Sequence, residues 1–248
     1  MSGDVLLIDH GNTRIKWVWA REGEIETGRA NRGLFEAFAA DVENGDHPTP
    51  DAVRISSVAG DQSTRELAKF CKERWGVKVQ QMASQREQGG VRNAYSRPDT
   101  LGVDRWLAIV GAARQYGMPV VVWDMGTAST LDAVDSRGRH LGGMIYPGPA
   151  TMLRSLVNDT KLNVPRDFES AGIISWVGAG QSTDECILKG VLAAQVGTLN
   201  QFLRHVSLQM SGKPQLIATG GAAEKILPLL DFEYIHDPWL VFRGMLVD

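Results

Sequence analysis

Three carboxylates stand out by the company they keep. Asp9 and Asp124 each end a short apolar run, Val5-Leu6-Leu7-Ile8 and Val120-Val121-Val122-Trp123. After one further residue, each is followed by a glycine and then by amide or hydroxyl residues: Asp9-His10-Gly11-Asn12-Thr13 and Asp124-Met125-Gly126-Thr127. Four apolar residues in a row read as a strand buried on both faces, so each carboxylate would sit where its strand leaves the core. An unpaired charge is very costly there, and a cation or a Mg-bound phosphate would be a fitting partner. The glycines let the backbone turn and let a ligand come close. The third carboxylate, Asp104, precedes Arg105 in Leu101-Gly102-Val103-Asp104-Arg105-Trp106, at the opening of an apolar helical stretch. A helix N-terminus favours an aspartate in its first turn but gives nothing to an arginine, so Arg105 needs another reason for its place.

The hydrophobic pattern supplies the elements that must hold these groups. Residues 5–9, 14–20 and 24–29 read as three strands joined by tight turns, followed by a helix over 34–42, a strand over 52–58, a helix over 62–75 and a strand over 77–82. This order favours α/β layering. Residues 85–100 are polar, carry Tyr95 and Pro98, and read as a long loop of the kind that often has a function. A helix follows over 103–116. Gly117-Met118-Pro119 then marks the expected boundary between a domain of residues 1–117 and one of residues 118–248. The second half repeats the opening: strands at 120–124, 131–134 and 140–146, then a helix over 150–157. Residues 158–180 read as irregular, with a long helix over 182–208, a strand at 215–218, a helix over 222–230 and a final helix after Pro238. Two copies of strand, acidic turn and strand suggest a duplicated architecture with a ligand between the halves.

The bulk numbers exclude several function classes. The 248 residues are 43% hydrophobic and carry a net charge of -3. No long basic run appears, so nucleic-acid binding has no electrostatic support. The two cysteines, Cys71 and Cys186, lack metal-type spacing and fit buried thiols in a reduced cytoplasmic compartment. No signal peptide and no membrane span are expected. A P-loop, a His-Glu-x-x-His zinc motif and a Gly-x-Ser-x-Gly elbow are all missing from the sequence. A pair of Asp-x-Gly-Thr-like turns also fits aspartic proteases, but the helices argue against so nearly all-β a fold.

Four motifs in order carry a resemblance: Asp9-x-Gly-Asn-Thr-x-x-Lys16, Gly102-x-Asp-Arg105, Asp124-x-Gly-Thr-Ala-x-Thr-x-Asp132 and Gly142-Gly-x-Ile-x-Pro-Gly148. Together they resemble type III pantothenate kinase, of the acetate and sugar kinase/Hsp70/actin superfamily. The resemblance implies two duplicated ribonuclease H-like (actin-like ATPase) domains with mixed sheets flanked by helices, and ATP between them. It implies phosphorylation of pantothenate, Mg2+ and a monovalent cation (K+ or NH4+) as cofactors, and a homodimer.

The site roles it implies make physical sense, since phosphoryl transfer is largely positioning and charge stabilisation. Asp9, His10, Gly11, Asn12, Thr13, Arg14, Ile15 and Lys16 would form the nucleotide turn, with Asp9 holding Mg2+ directly or through water. Lys16 could add a positive charge or, on an alternating strand, point away. His10 could assist ATP or face the other layer. Asp104 would be the general base, a role worth about 10²–10⁴-fold in rate. Arg105 would anchor the pantothenate carboxylate or steady the transferring phosphoryl group. Gly102, Val103 and Tyr95 would line the substrate, as would Thr183, whose position also suits a helix N-cap. Asp124 would hold the monovalent cation and Thr127 an ATP phosphate. Gly142-Gly143 and Pro147-Gly148 would form a phosphate-side turn, and Thr219-Gly220-Gly221-Ala222 the adenine or ribose turn. Three other readings stay open beside this one: a superfamily kinase for another small substrate, an accessory regulator of gene expression without turnover, and an actin- or Hsp70-like ATP switch.

Overall fold

Each apolar run that ends in an aspartate becomes the central strand of a five-stranded mixed sheet. The computed structural model describes residues 3–45, 47–159 and 178–248. The chain divides into two compact units, Met1–Gln115 with Trp239–Asp248, and Tyr116–Pro238.

In the first unit, β1 (Asp4–His10), β2 (Ile15–Arg21) and β3 (Glu24–Gly33) form an antiparallel meander, and β4 (Ala52–Ser57) and β5 (Lys78–Gln81) continue the sheet in parallel. The sheet order is β3-β2-β1-β4-β5. Side chains alternate across a strand, and here both faces of the central strands are buried. Leu6, Ile8, Ile15, Trp17, Trp19, Val53 and Ile55 pack with residues of α1 (Phe35–Asn44) and α2 (Asp61–Trp75). The helices reach this core through Phe38 and Val42, and through Leu67 and Cys71. Each pair is spaced i,i+4, as one buried helix face requires. Trp17 meets Phe38 edge-on at 5.2 Å and donates its Nε1–H to Asp41 Oδ2 at 2.6 Å. The opposite sheet face carries Leu7, Asp9, Lys16, Val18 and Arg54.

The loop expected over 85–100 contains a small hairpin, β6 (Glu87–Gln88) with β7 (Val91–Arg92). Gly89 and Gly90, at φ 57° and 81°, make its turn, a two-residue connection of the kind glycine supplies most easily. Helix α3 (Val103–Tyr116) follows, with the bounds expected from its periodicity.

The second unit repeats the sheet. Strands β8 (Val120–Met125), β9 (Ala128–Val134) and β10 (His140–Pro147) form the meander, and β11 (Gln215–Thr219) and β12 (Ile235–His236) continue it in parallel. Its order, β10-β9-β8-β11-β12, matches the first sheet strand for strand. Trp123, Met125, Leu131 and Ala133 pack into one core with residues of α4 (Pro149–Asp159), α5 (Thr183–Ser207) and α6 (Ala223–Ile226). Residues 222–230, expected as one helix, give only the four-residue α6 and a 3-10 turn at Leu227–Leu229. Pro228 has no N–H to continue an α-helix. The irregular stretch expected over 158–180 lies mostly outside the described residues.

The C-terminal helix α7 (Leu240–Met245) groups with the first unit, whereas the sequence placed residues 118–248 together. The reason is close packing on α3. A Cβ at Gly244 would overlap Leu107 O, and one at Gly111 would overlap Leu240 O. Two glycines thus let the two backbones touch. Arg54 also donates to Met245 O, and Gln88 Nε2 donates to Val247 O at 2.9 Å. Gln88 in turn accepts from the buried Trp106 Nε1 at 2.7 Å, so one buried amide ties hairpin, helix and tail. Among the described residues, no helix is long and apolar enough to cross a membrane.

Candidate active site

Asp9 is the penultimate residue of β1, beside a tight turn. Gly11 N donates to Arg14 O at 3.1 Å, which folds Gly11 to Arg14 back on themselves and leaves Asn12, Thr13 and Arg14 exposed. In register, Asp9 lies between Lys16 on β2 and Ser56 on β4. Directly paired residues share a sheet face, so Lys16 points the same way as Asp9, with Nζ 4.0 Å from Asp9 Oδ2. Lys16 therefore does not turn away. His10 does. Its Nδ1 is 3.4 Å from Ser57 Oγ and its Nε2 3.4 Å from Ser63 Oγ, on the α2 side of the sheet. Burial there pushes the His10 pKa down. Ile15 also sits in that core, 3% exposed, so only its backbone can face a ligand at the turn.

The start of α3 gathers a second group in the same unit. Asp104 Oδ1 accepts from Arg105 N at 2.8 Å, so one carboxylate oxygen holds the helix start. A Cβ at Gly102 would lie 2.7 Å from that oxygen; glycine here leaves the carboxylate its space. Arg105 is 7% exposed, and its Nη1 donates to Tyr95 OH at 3.2 Å. This is the reason for an arginine at an end of a helix that repels cations. The loop around Tyr95 is held from beneath. Arg86 donates to Tyr95 O at 3.2 Å and Ser96 O at 2.9 Å, and the buried Asn93 accepts from Tyr95 N at 2.9 Å through Oδ1. Gly102, Val103, Asp104, Arg105 and Tyr95 are thus neighbours.

In the second unit, Asp124 is the penultimate residue of β8, in register with Thr130 on β9 and Thr219 on β11. Three glycines crowd its turn. Gly126 N donates to Ala128 O at 3.1 Å, and Gly148 N donates to Thr127 O at 3.0 Å. A Cβ at Gly220, whose φ is +96°, would lie 2.5 Å from Asp124 Oδ1. Thr151 Oγ1 donates to Thr127 O at 2.7 Å from the first turn of α4. The exposed Thr127 therefore stands next to the N-terminus of an eleven-residue helix, where backbone N–H groups favour an anion. Gly142-Gly143 do not form a turn: both lie within β10, where the register shifts between His140 and Gly142. Asp132, on Asp124's face of the sheet, is paired with His140 Nε2 at 3.0 Å; both are buried.

The sequence profile of type III pantothenate kinase matches residues 5–205. The chain belongs to the type III pantothenate kinase family. A type III pantothenate kinase of Nitrosococcus oceani is 33% identical over 97% of this chain and 92% of its own length. Among solved structures, a Campylobacter jejuni protein assigned to a Baf family of transcriptional activators shares the fold. Its TM-score is 0.61 at 22% identity, over 97% of this chain and 94% of that one. A Sinorhizobium meliloti protein assigned as a 2-dehydro-3-deoxygalactonokinase aligns at TM-score 0.55 and 14% identity, over 97% and 96% of the two chains. At such identities the two structures speak for the fold alone, a sugar kinase and actin-like ATPase fold of two mixed sheets flanked by helices.

Two expectations read from the residues alone, a Thr183 cap and a buried Cys186, meet a different local structure. Thr183 does not cap α5; Ser182 does, its Oγ accepting from Glu185 N at 3.3 Å while Glu185 Oε2 accepts from Gln181 N at 2.8 Å. Ser182 thus caps the helix while Glu185 reaches back one residue further, to Gln181 N, and Thr183 is left exposed at the first helical position. Cys186, expected to be buried, is exposed; Cys71 is buried, and its thiol is pushed up to about 12 by desolvation. Ser56, Arg86, Asn93 and Gln88 escaped the sequence reading. Only the Gly89-Gly90 pair signalled a hairpin there.

Proposed function

We propose that the chain transfers the γ-phosphoryl group of ATP to the primary hydroxyl of pantothenate, the first committed step of coenzyme A synthesis. The observation that carries this reading is the start of α3, where an aspartate, a buried arginine and a tyrosine hydroxyl meet under a glycine that a side chain would spoil. Asp104 takes the hydroxyl proton as the new P–O bond forms and the bond to ADP breaks. Arg105, fixed by Tyr95, binds the pantothenate carboxylate, a pairing that its planar donors suit. Gly102 and Val103 line the same substrate, and the family resemblance adds the exposed Thr183 as a substrate residue.

The turn from Gly11 to Arg14 offers backbone N–H groups and side-chain donors to phosphate oxygens, with Lys16 adding positive charge from the neighbouring strand. Asp9, mostly buried and close to that turn, suits Mg2+. Among the described residues there is no cluster of three or more His, Cys, Asp or Glu side chains built to hold a metal, and Mg2+ commonly takes one or two carboxylates with the rest of its ligands from phosphates and water. When bound, Mg2+ offsets charge on the β- and γ-phosphates. Thr127 contacts a phosphate beside the α4 N-terminus. Asp124 holds a monovalent cation, K+ or NH4+, under the Gly220 turn. The reading includes a cytoplasmic homodimer.

The test is ATP consumption by the purified protein with and without pantothenate, each with K+, NH4+ or Na+. Turnover that requires both pantothenate and K+ or NH4+ is expected. Turnover indifferent to pantothenate would sink the substrate assignment.

A further inference from the structure

We infer that Ser56 is a positioning residue for Asp9, its hydroxyl fixing the carboxylate while Asp9 serves Mg2+ and nucleotide. The inference rests on the reading of Asp9 given above. Ser56 is fully buried, and its Oγ has no hydrogen-bond partner among the described residues. Buried hydroxyls are as a rule paired, so an orphan in the middle of a sheet calls for a cause.

Its place supplies one. Ser56 is the registered neighbour of Asp9 across β1 and β4, as Lys16 is across β1 and β2. Cation, carboxylate and hydroxyl therefore form one row on one face. Neighbouring strands are about 4.8 Å apart, a span that a rotamer change of a serine or an aspartate can close to hydrogen-bond length. The next residue, Ser57, faces the other way and is fully engaged: its Oγ lies 2.6 Å from Thr64 Oγ1 and 3.4 Å from His10 Nδ1. The orphan hydroxyl is thus confined to the face that carries Asp9. The second sheet repeats the arrangement, with Thr219 as the parallel neighbour of Asp124. A hydroxyl donating to one carboxylate oxygen leaves the other for a metal ion or its water, and it stops the side chain from swinging.

Calorimetric titration of the full-length protein with ADP, in Mg2+ and in EDTA, tests this. Ser56→Ala should weaken Mg-ADP binding about tenfold, the scale of one hydrogen bond to a charged group, and leave ADP binding in EDTA unchanged. Without Mg2+ and nucleotide its melting temperature should equal or exceed that of the parent, since the buried hydroxyl has no partner there. Ser56→Cys, which keeps the volume and a weak donor, should fall between. In an Asp9→Asn background the Ser56→Ala effect should vanish. An unchanged Mg-ADP affinity in Ser56→Ala, or an effect that persists in the Asp9→Asn background, overturns the role of Ser56 and leaves the site reading standing. An Asp9→Asn protein that binds Mg-ADP like the parent removes the site reading, and the inference falls with it.

Discussion

The two sheets share strand order and the place of their aspartate, yet they surround that aspartate differently. Asp9 has a cation and a hydroxyl as registered neighbours, Lys16 and Ser56. Asp124 has two hydroxyl residues, Thr130 and Thr219. The turns differ too. Beyond Asp9 the chain offers an exposed Asn-Thr-Arg turn, rich in donors for an anion. Over Asp124, Gly220 comes so close that a Cβ would press on the carboxylate, which makes a small cradle. In the proposed function the first repeat serves phosphate and carries its own positive charge, Lys16, whereas the second serves a cation taken from solution. Within the sheets the difference is one side chain of the antiparallel pair, lysine against threonine.

The third carboxylate belongs to neither sheet, and the largest expected effect separates it from both. Asp104→Asn should cut turnover by about 10²–10⁴-fold, the usual scale for a general base, with Mg-ADP affinity unchanged by titration. A variant with full rate would move the base elsewhere. The next effect tests the lysine–threonine contrast directly. Thr130→Lys places an ammonium beside Asp124 as Lys16 stands beside Asp9, and should abolish activation by added K+. Asp124→Asn should also remove K+ activation and lower the rate about 10- to 100-fold, the scale of one charged contact. Retained K+ activation in both would separate the monovalent cation from Asp124. A smaller loss is expected from Gly102→Ala. The new Cβ pushes on a movable carboxylate rather than on backbone, so the melting temperature should hold. The rate should fall about tenfold, because displacement of a reacting group by an ångström is costly.

The same contrast explains how far the sequence could be read. Strand and helix positions followed from period, and α3 kept its expected bounds because its apolar run is long and bounded by glycines at 102 and 117. The two acidic turns were visible as local motifs. What those motifs face was not visible, because it depends on register between distant strands. Lys16 was ambiguous until pairing with Asp9 fixed its side of the sheet. Ser56 carries no local signal at all: one of two adjacent serines is orphaned and the other engaged only because alternation sends them to opposite faces. The tail groups with the first unit, through packing of Gly111 and Gly244 on backbone that leaves no periodic trace in the sequence. The N-cap at Ser182, by contrast, is legible in the sequence as Ser-x-x-Glu, one residue before Thr183.

The smallest expected effect concerns the face of the first sheet that the site does not use. His10 adjoins Asp9 in sequence but lies buried beside Ser57 and Ser63. Desolvation lowers its folded pKa below the ordinary value of 6.5. The unfolded chain therefore takes up this proton first as pH falls. Above the unfolded pKa the histidine is neutral in both states and costs nothing. As pH drops through 6.5 toward the lower folded value, the unfolded state gains a proton that the folded state refuses, and stability declines. His10→Gln keeps a polar side chain of similar reach and removes the titration. Its melting temperature should match the parent at pH 8 and exceed it modestly at pH 5.5, with Mg-ADP affinity the same at both. A change in Mg-ADP affinity at pH 8 would instead put His10 on the nucleotide side and erase the division between the two faces of this sheet.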